Sequence, residues 1–310
     1  MRQVPLTFLR GFVMGAADIV PGVSGGTVAL VFGIYRRLVG AIREGSSAIG
    51  HLLKLDVSGA VERLKRVEWA FLVTLLAGIG AAVLALSHLI ETLLEERPVE
   101  MSGLFLGLVA GSVVIAWKLL QRRDATRAVI LVSAAVITFV LLGLRGGTSE
   151  DSVSQVADPS LLVFFGAGAI AICAMILPGI SGSFLLVTMG MYTAVLGTVN
   201  DRDLLPLALF LLGCITGLAL FSQVLHWALD RHYDAVMAVL IGLMLGSLRV
   251  LWPWPDGVES TALGSPGNQA VLVPVLLAVG GLVLVLAVEV VSERLEHRSV
   301  GDEVEDLHRA

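Results

Sequence analysis

A proline–glycine pair interrupts a long apolar stretch twice in this chain. The first instance is Pro21-Gly22-Val23-Ser24-Gly25-Gly26 and the second is Pro178-Gly179-Ile180-Ser181-Gly182-Ser183. The copies stay in step as far as Gly33-Ile34-Tyr35 and Gly190-Met191-Tyr192, at a constant offset of 157 residues. Proline has no backbone N–H and breaks a helix, and lipid offers no partner for the polar groups that are freed. Helices broken at matching places in two halves mark a carrier whose site lies between its repeats.

The rest of the chain suits that reading. It has 310 residues, 56% hydrophobic and 15% charged, with a mean hydropathy of +0.88. Soluble domains are nearer a quarter charged, and several runs here reach transmembrane length. The class predicted is an all-α, multi-pass integral membrane protein. No small-residue cleavage site follows a short apolar core near the N-terminus, so the first segment is expected to stay. Cys173 and Cys214 both fall in apolar segments. They read as small packing residues, with neither a disulfide framework nor a metal cluster in prospect. The net charge of −5 and the lack of a basic patch interleaved with aromatics argue against nucleic acid. No cofactor is expected.

The apolar pattern divides the chain into a first repeat, residues 1–145, a linker, 146–159, a second repeat, 160–291, and a charged tail, 292–310. Each repeat opens with a broken stretch, at 8–35 and 160–192, followed by three spans. The spans are expected at 69–90, 101–119 and 128–144, then at 204–227, 235–251 and 270–291. The later spans also match between halves, at an offset of 135: Gly78 with Gly213, Gly107 with Gly242, Gly111 with Gly246 and Trp117 with Trp252. The two offsets differ by an insertion in the first half, carried by the polar connection from Arg36 to Glu68. Small residues four apart let helices approach closely in lipid. Within the connection, Ser47–Arg66 alternates Leu52, Leu53, Leu55, Val57, Val61 and Leu64 with basic residues, a pattern for lying on the inner surface.

Lys and Arg decide how the broken stretches sit, because cytoplasmic loops carry their excess. If both stretches are re-entrant hairpins, 17 of the 21 Lys and Arg are cytoplasmic and only Arg97, Arg145, Arg202 and Arg249 lie outside. If both cross, the split falls to 13 against 8. The predicted architecture is therefore an inverted repeat, each half a re-entrant helical hairpin plus three transmembrane helices. Both termini are cytoplasmic, and the hairpin tips meet near the midplane.

Each Pro-Gly turn leads into Ser, then Gly, then a new helical run. Ser24 and Ser181 stand at the N-cap, and glycine lets a ligand approach the backbone. Unpaired N–H groups and the helix dipole favour a phosphate or carboxylate there. The plainer alternative is a tight turn that packs two short helices. Asp18, three residues before Pro21, is the most unusual ionisable group, because a charge in such a stretch is expensive and usually functional. It is a candidate proton carrier, or else a cap for nearby backbone N–H groups. Its counterpart in the second half is Met175. Arg10, Arg36 and Arg37 flank the first hairpin and are candidate headgroup contacts, although topology alone would place them there. His88 and His226 read as interfacial, and Glu289 as reaching toward the interface at the end of the last span.

The run Gly15-Ala16-Ala17-Asp18-Ile19-Val20-Pro21-Gly22-Val23-Ser24-Gly25-Gly26-Thr27, with Gly33-Ile34-Tyr35, resembles the signature of the bacterial polyprenyl-phosphate transporters. The second run, Met175-Ile176-Leu177-Pro178-Gly179-Ile180-Ser181-Gly182-Ser183-Phe184, is similar to theirs as well. The resemblance covers about Phe8 to Val291, but not the Arg145–Pro159 loop, the Trp252–Asn268 loop or the tail. It implies a non-enzymatic carrier in the bacterial plasma membrane that returns undecaprenyl phosphate from the outer to the inner leaflet. There the lipid is reused for envelope polymers. Carried over by motif position, the headgroup candidates are Ser24, Gly25, Gly26 and Thr27 in one tip and Ser181, Gly182 and Ser183 in the other. Asp18 enters as the coupling acid, with protons as the coupling ion. The physics agrees: the isoprenoid tail can stay in lipid, and only the charged head needs a route across hydrocarbon.

Two rivals remain open at this point. A small-anion exporter would use the same paired helix ends from a closed aqueous vestibule. A membrane-embedded phosphatase would need a clustered base, nucleophile or metal ligands, which the residues do not supply in sequence.

Overall fold

All regular structure among the described residues is helical. The computed structural model describes residues 3–20, 23–144, 156, 159–255, 257 and 263–309, with side chains at all of these except 3, 53, 184 and 291–309. The first half contains α1 (Gln3–Asp18), α2 (Gly25–Val31), α3 (Tyr35–Leu53), α4 (Val57–Arg66), α5 (Trp69–Glu96), α6 (Pro98–Lys118) and α7 (Ala125–Gly143). The second contains α8 (Leu161–Ile176), α9 (Gly182–Thr188), α10 (Tyr192–Asn200), α11 (Leu204–Arg231), α12 (Tyr233–Ser247) with a 3-10 turn at Leu248–Leu251, and α13 (Leu272–Arg309).

Among the described residues six stretches are long and apolar enough to cross a membrane: α5, α6, α7, α11, Tyr233–Leu251 and Leu272–Val290. They fall on the six expected spans. Helices α1 and α8 have 16 residues each. At the helical rise that is about 24 Å, short of the roughly 30 Å hydrocarbon core. The connection from Arg36 to Glu68 is more ordered than a polar linker: it folds into α3 and α4, antiparallel across a turn at Lys54–Asp56. The Asp56 carboxylate caps α4 by accepting from the Gly59 N–H at 2.9 Å. The linker 146–159 lies almost wholly outside the described residues, while the charged tail continues α13 as helix to Arg309.

Glycines set how the long helices pair. A Cβ on Gly11 or Gly15 would run into α5 backbone at Leu75 or Ile79, and one on Gly168 would run into Phe210 of α11. One on Gly107 would strike the Ala278 carbonyl of α13, and one on Gly242 the Leu131 carbonyl of α7. So α1 lies on α5 as α8 lies on α11, and α6 lies on α13 as α12 lies on α7. The helices in each pair run parallel. Without a hydrophobic drive between helices in lipid, such close backbone approach is the main source of association. Lys118 at the end of α6 pairs with Glu289 of α13 at 2.8 Å, which closes that contact at one end.

The short helices are interior. Ala29, Leu30, Tyr35 and Val39 of α2 and α3 pack with Leu75 of α5, Leu225 and Leu229 of α11, and Ile241 and Met244 of α12 in the largest buried cluster. The two short helices also end alike. Gly33 and Gly190 both have φ of +67°, a left-handed conformation that glycine adopts without a Cβ clash. The Ile34 N–H reaches the Ala29 carbonyl and the Met191 N–H the Leu186 carbonyl, each at 2.9 Å. These are two Schellman caps at repeat-equivalent positions.

Candidate functional site

The two signature segments touch. Thr27 Oγ1 accepts from the Gly179 N–H at 3.1 Å, and the Tyr35 hydroxyl donates to the Ile176 carbonyl at 3.1 Å. The Ser24 hydroxyl lies 3.3 Å from the Leu177 carbonyl and 3.4 Å from that of Met175, so its single proton is shared between them. Gly26 lies close against the Ile176 carbonyl, where a Cβ would stand only 2.8 Å from the oxygen. Pro21 and Gly22 are outside the described residues. In the second turn, Gly179 has φ of +85° and lies tight against Met244 and Ser247 of α12.

The N-termini of α2 and α9 are equivalent in sequence but not in chemistry. At α2 the Gly25 N–H donates to Asp18 Oδ1 at 2.6 Å, and the Gly26 N–H to Ser24 Oγ at 3.1 Å. The first helix end is therefore already occupied by a carboxyl group that belongs to the chain. At α9 the N-cap residue, Ser181, makes no side-chain cap hydrogen bond among the described residues. Ser181 Oγ lies instead 2.8 Å from Ser183 Oγ, so the two hydroxyls pair with each other. Met175 occupies, against Gly182, the place that Asp18 occupies against Gly25. A thioether accepts hydrogen bonds only weakly, so α9 keeps its positive end for something else.

Between these ends lies a cavity of about 300 Å³. Asp18 and Ser24 line it from one tip, and Ser181, Gly182 and Ser183 from the other. The remaining wall is mostly apolar and includes Ala171, Ile172, Met175, Leu186, Phe210 and Cys214. A mostly apolar concavity of this size with a few convergent polar groups is the usual form of a small-ligand site.

Of the predicted headgroup residues, Ser24, Ser181, Gly182 and Ser183 line the cavity, and Asp18 lines it with them. Gly25, Gly26 and Thr27 are buried behind it, where Thr27 joins the two tips. The flanking arginines lie elsewhere. Arg10 stands 5.9 Å from the Phe32 ring, and Arg36 pairs with Asp230 at 3.1 Å. Arg37 donates from Nε to Glu68 at 2.9 Å and lies over Phe71. Phe210 and Cys214 could not be picked out from the sequence, because nothing distinguishes them from the other apolar residues of a span.

The chain is similar to known proteins over most of its length. The family described as undecaprenyl phosphate translocase-like (VCA0040-like) matches residues 14–269. A protein of Vibrio cholerae named polyprenyl-phosphate transporter is 39% identical over 266 residues, which is 86% of this chain and 83% of that protein. One of the same name from Staphylococcus aureus is 30% identical over 258 residues, 80% of this chain and 86% of its own length. No solved structure matches.

Proposed function

Since the chain belongs to the undecaprenyl phosphate translocase-like family, we propose that it carries a polyprenyl monophosphate, undecaprenyl phosphate, from the outer to the inner leaflet of the bacterial plasma membrane. The headgroup binds in the cavity between the two tips, and the isoprenoid tail stays in the bilayer. The observation that carries this reading is the asymmetry of the tips: one helix end is filled by Asp18, and the other opens uncapped into the cavity beside Ser181 and Ser183.

The headgroup takes the α9 end, with the hydroxyls of Ser24, Ser181 and Ser183 as neutral donors. Helix N-termini suit a monophosphate because their N–H groups and dipole favour negative charge without a counter-ion. An ionised Asp18 in the same cavity repels that headgroup, and a protonated one can donate to it. Binding of the phosphate is thereby tied to a proton on Asp18, which makes Asp18 the coupling group. The chain acts as an inverted repeat, its hairpins re-entrant from opposite sides and both termini cytoplasmic. The short α1 and α8 and the parallel pairing of α1 with α5 and α8 with α11 support that arrangement.

The test is translocation of undecaprenyl phosphate by purified protein in proteoliposomes, with and without an imposed pH gradient. We expect flux above empty liposomes that is lost when Ser24→Ala and Ser181→Ala are combined. Absence of flux from folded protein, with a small organic anion or sulfur oxyanion transported instead, would overturn the lipid reading in favour of an anion exporter.

A further inference from the structure

A second cavity, of about 240 Å³, opens between α3 and the last turns of α11 and is lined by Arg43, His226, Trp227, Asp230 and Arg231. The one carboxylate lining it is already satisfied, since Asp230 Oδ1 lies 3.1 Å from Arg36 and Oδ2 3.1 Å from His226. Arg43 and Arg231 have no carboxylate within pairing distance among the described residues. The groove thus has more cation than anion around an open space.

The repeat-equivalent positions do not carry this charge. At the two offsets Arg36 and Arg43 correspond to Thr193 and Asn200, and His226 and Arg231 to Glu91 and Glu96. Helices α3 and α10 begin at the equivalent residues Tyr35 and Tyr192, so the correspondence holds along them. The α3–α11 contact itself has no such counterpart, since α10 packs on α9 and α11 rather than on α5, so the cationic positions belong to this groove alone.

We infer that the groove is a binding site for the phosphate monoester headgroup of a lipid, held by Arg43 and Arg231 with His226. Arginine matches the oxygens of a phosphate with paired donors, and Trp227, 57% exposed, suits the bilayer interface. A lipid is favoured over free phosphate because Leu220 and Val224 continue from Trp227 on one face of α11. They are 63% and 59% exposed, a track for an apolar chain beside the headgroup. Taking the lipid to be the carried polyprenyl phosphate rests on the carrier reading above. The groove is then where the headgroup arrives on the cytoplasmic side.

A polyprenyl monophosphate bearing a diazirine on the isoprene unit next to the phosphate tests this, with purified protein in phosphatidylcholine nanodiscs. We expect labelling of the α11 peptide that contains Val224 and Trp227. Excess unlabelled polyprenyl monophosphate should compete, and inorganic phosphate should not. Arg43→Gln with Arg231→Gln should lower labelling at least about tenfold, the effect of losing a little over 1 kcal/mol of binding. Arg43→Lys with Arg231→Lys, which keeps the charge but loses the paired donors, should label between the glutamine variant and wild type. Undiminished labelling in the glutamine variant, or equal labelling by the uncharged polyprenol, overturns the site. Full competition by inorganic phosphate overturns the lipid as its ligand. Flux without groove labelling sinks this site alone, whereas labelling without flux sinks the carrier reading and leaves the site standing.

Discussion

At the scale of single residues, the asymmetry between Asp18 and Met175 governs the candidate site. Asp18→Asn keeps an oxygen for the Gly25 N–H and removes the titrating proton. Flux of undecaprenyl phosphate in proteoliposomes should persist in that variant and lose its response to a pH gradient. Asp18→Ala removes the cap as well, and by the usual worth of an N-cap should lower stability by roughly 1–2 kcal/mol, measured by thermal unfolding in detergent. Thr27 joins the two tips by accepting from the Gly179 N–H. Thr27→Val leaves the Gly179 N–H buried without its acceptor, a loss of about 1–3 kcal/mol, while Thr27→Ser should retain most of the stability. The motif pointed to Thr27 as a headgroup contact because hydroxyls beside a glycine turn look alike in sequence. Only the fold shows which hydroxyl faces the cavity and which faces the other tip.

At the scale of helices, the glycines spaced four apart were legible as packing positions, but their partners were not. A small residue shows that something comes close without saying what. In the structure Gly107 meets α13 and Gly242 meets α7, so each half lends a helix to the other. Gly107→Ala forces a methyl against the Ala278 carbonyl and should destabilise the fold by about 1–3 kcal/mol. Gly80, with open space around its Cβ position, is the control, where alanine should be tolerated. Helix α4 tests a different property. Bonds from the Gly59 N–H, His51 and Ser58 hold the Asp56 carboxyl down at about 2 from an ordinary 3.8. A depressed carboxyl contributes stability above its unfolded value and loses it as pH falls through the folded value. Protease resistance of the α3–α4 hairpin should therefore hold at neutral pH and fall between about pH 4 and 2, and Asp56→Asn should flatten that change.

At the scale of the whole molecule, orientation is the property most open to direct test. With Cys173 and Cys214 replaced, single cysteines at Arg97 and Asp201 should react with a membrane-impermeant maleimide applied to intact cells. Cysteines at Arg122 and His232 should react only after permeabilisation. Labelling of all four from outside would refute the inverted arrangement. The chain alone determined that this is a multi-helix membrane protein with a duplicated plan, six spans and two interrupted stretches. Those conclusions depend on local hydropathy, on the backbone chemistry of proline and glycine, and on residues recurring at fixed offsets. Asp18 as a cap for nearby N–H groups was among the sequence's own alternatives, and tertiary structure decided that α9 opens to a cavity and that Arg36 and Arg37 are drawn into ion pairs. It also decided that the halves exchange helices. The two ion pairs join groups 31 and 194 residues apart, and periodicity carries no record of which distant surface a side chain will face.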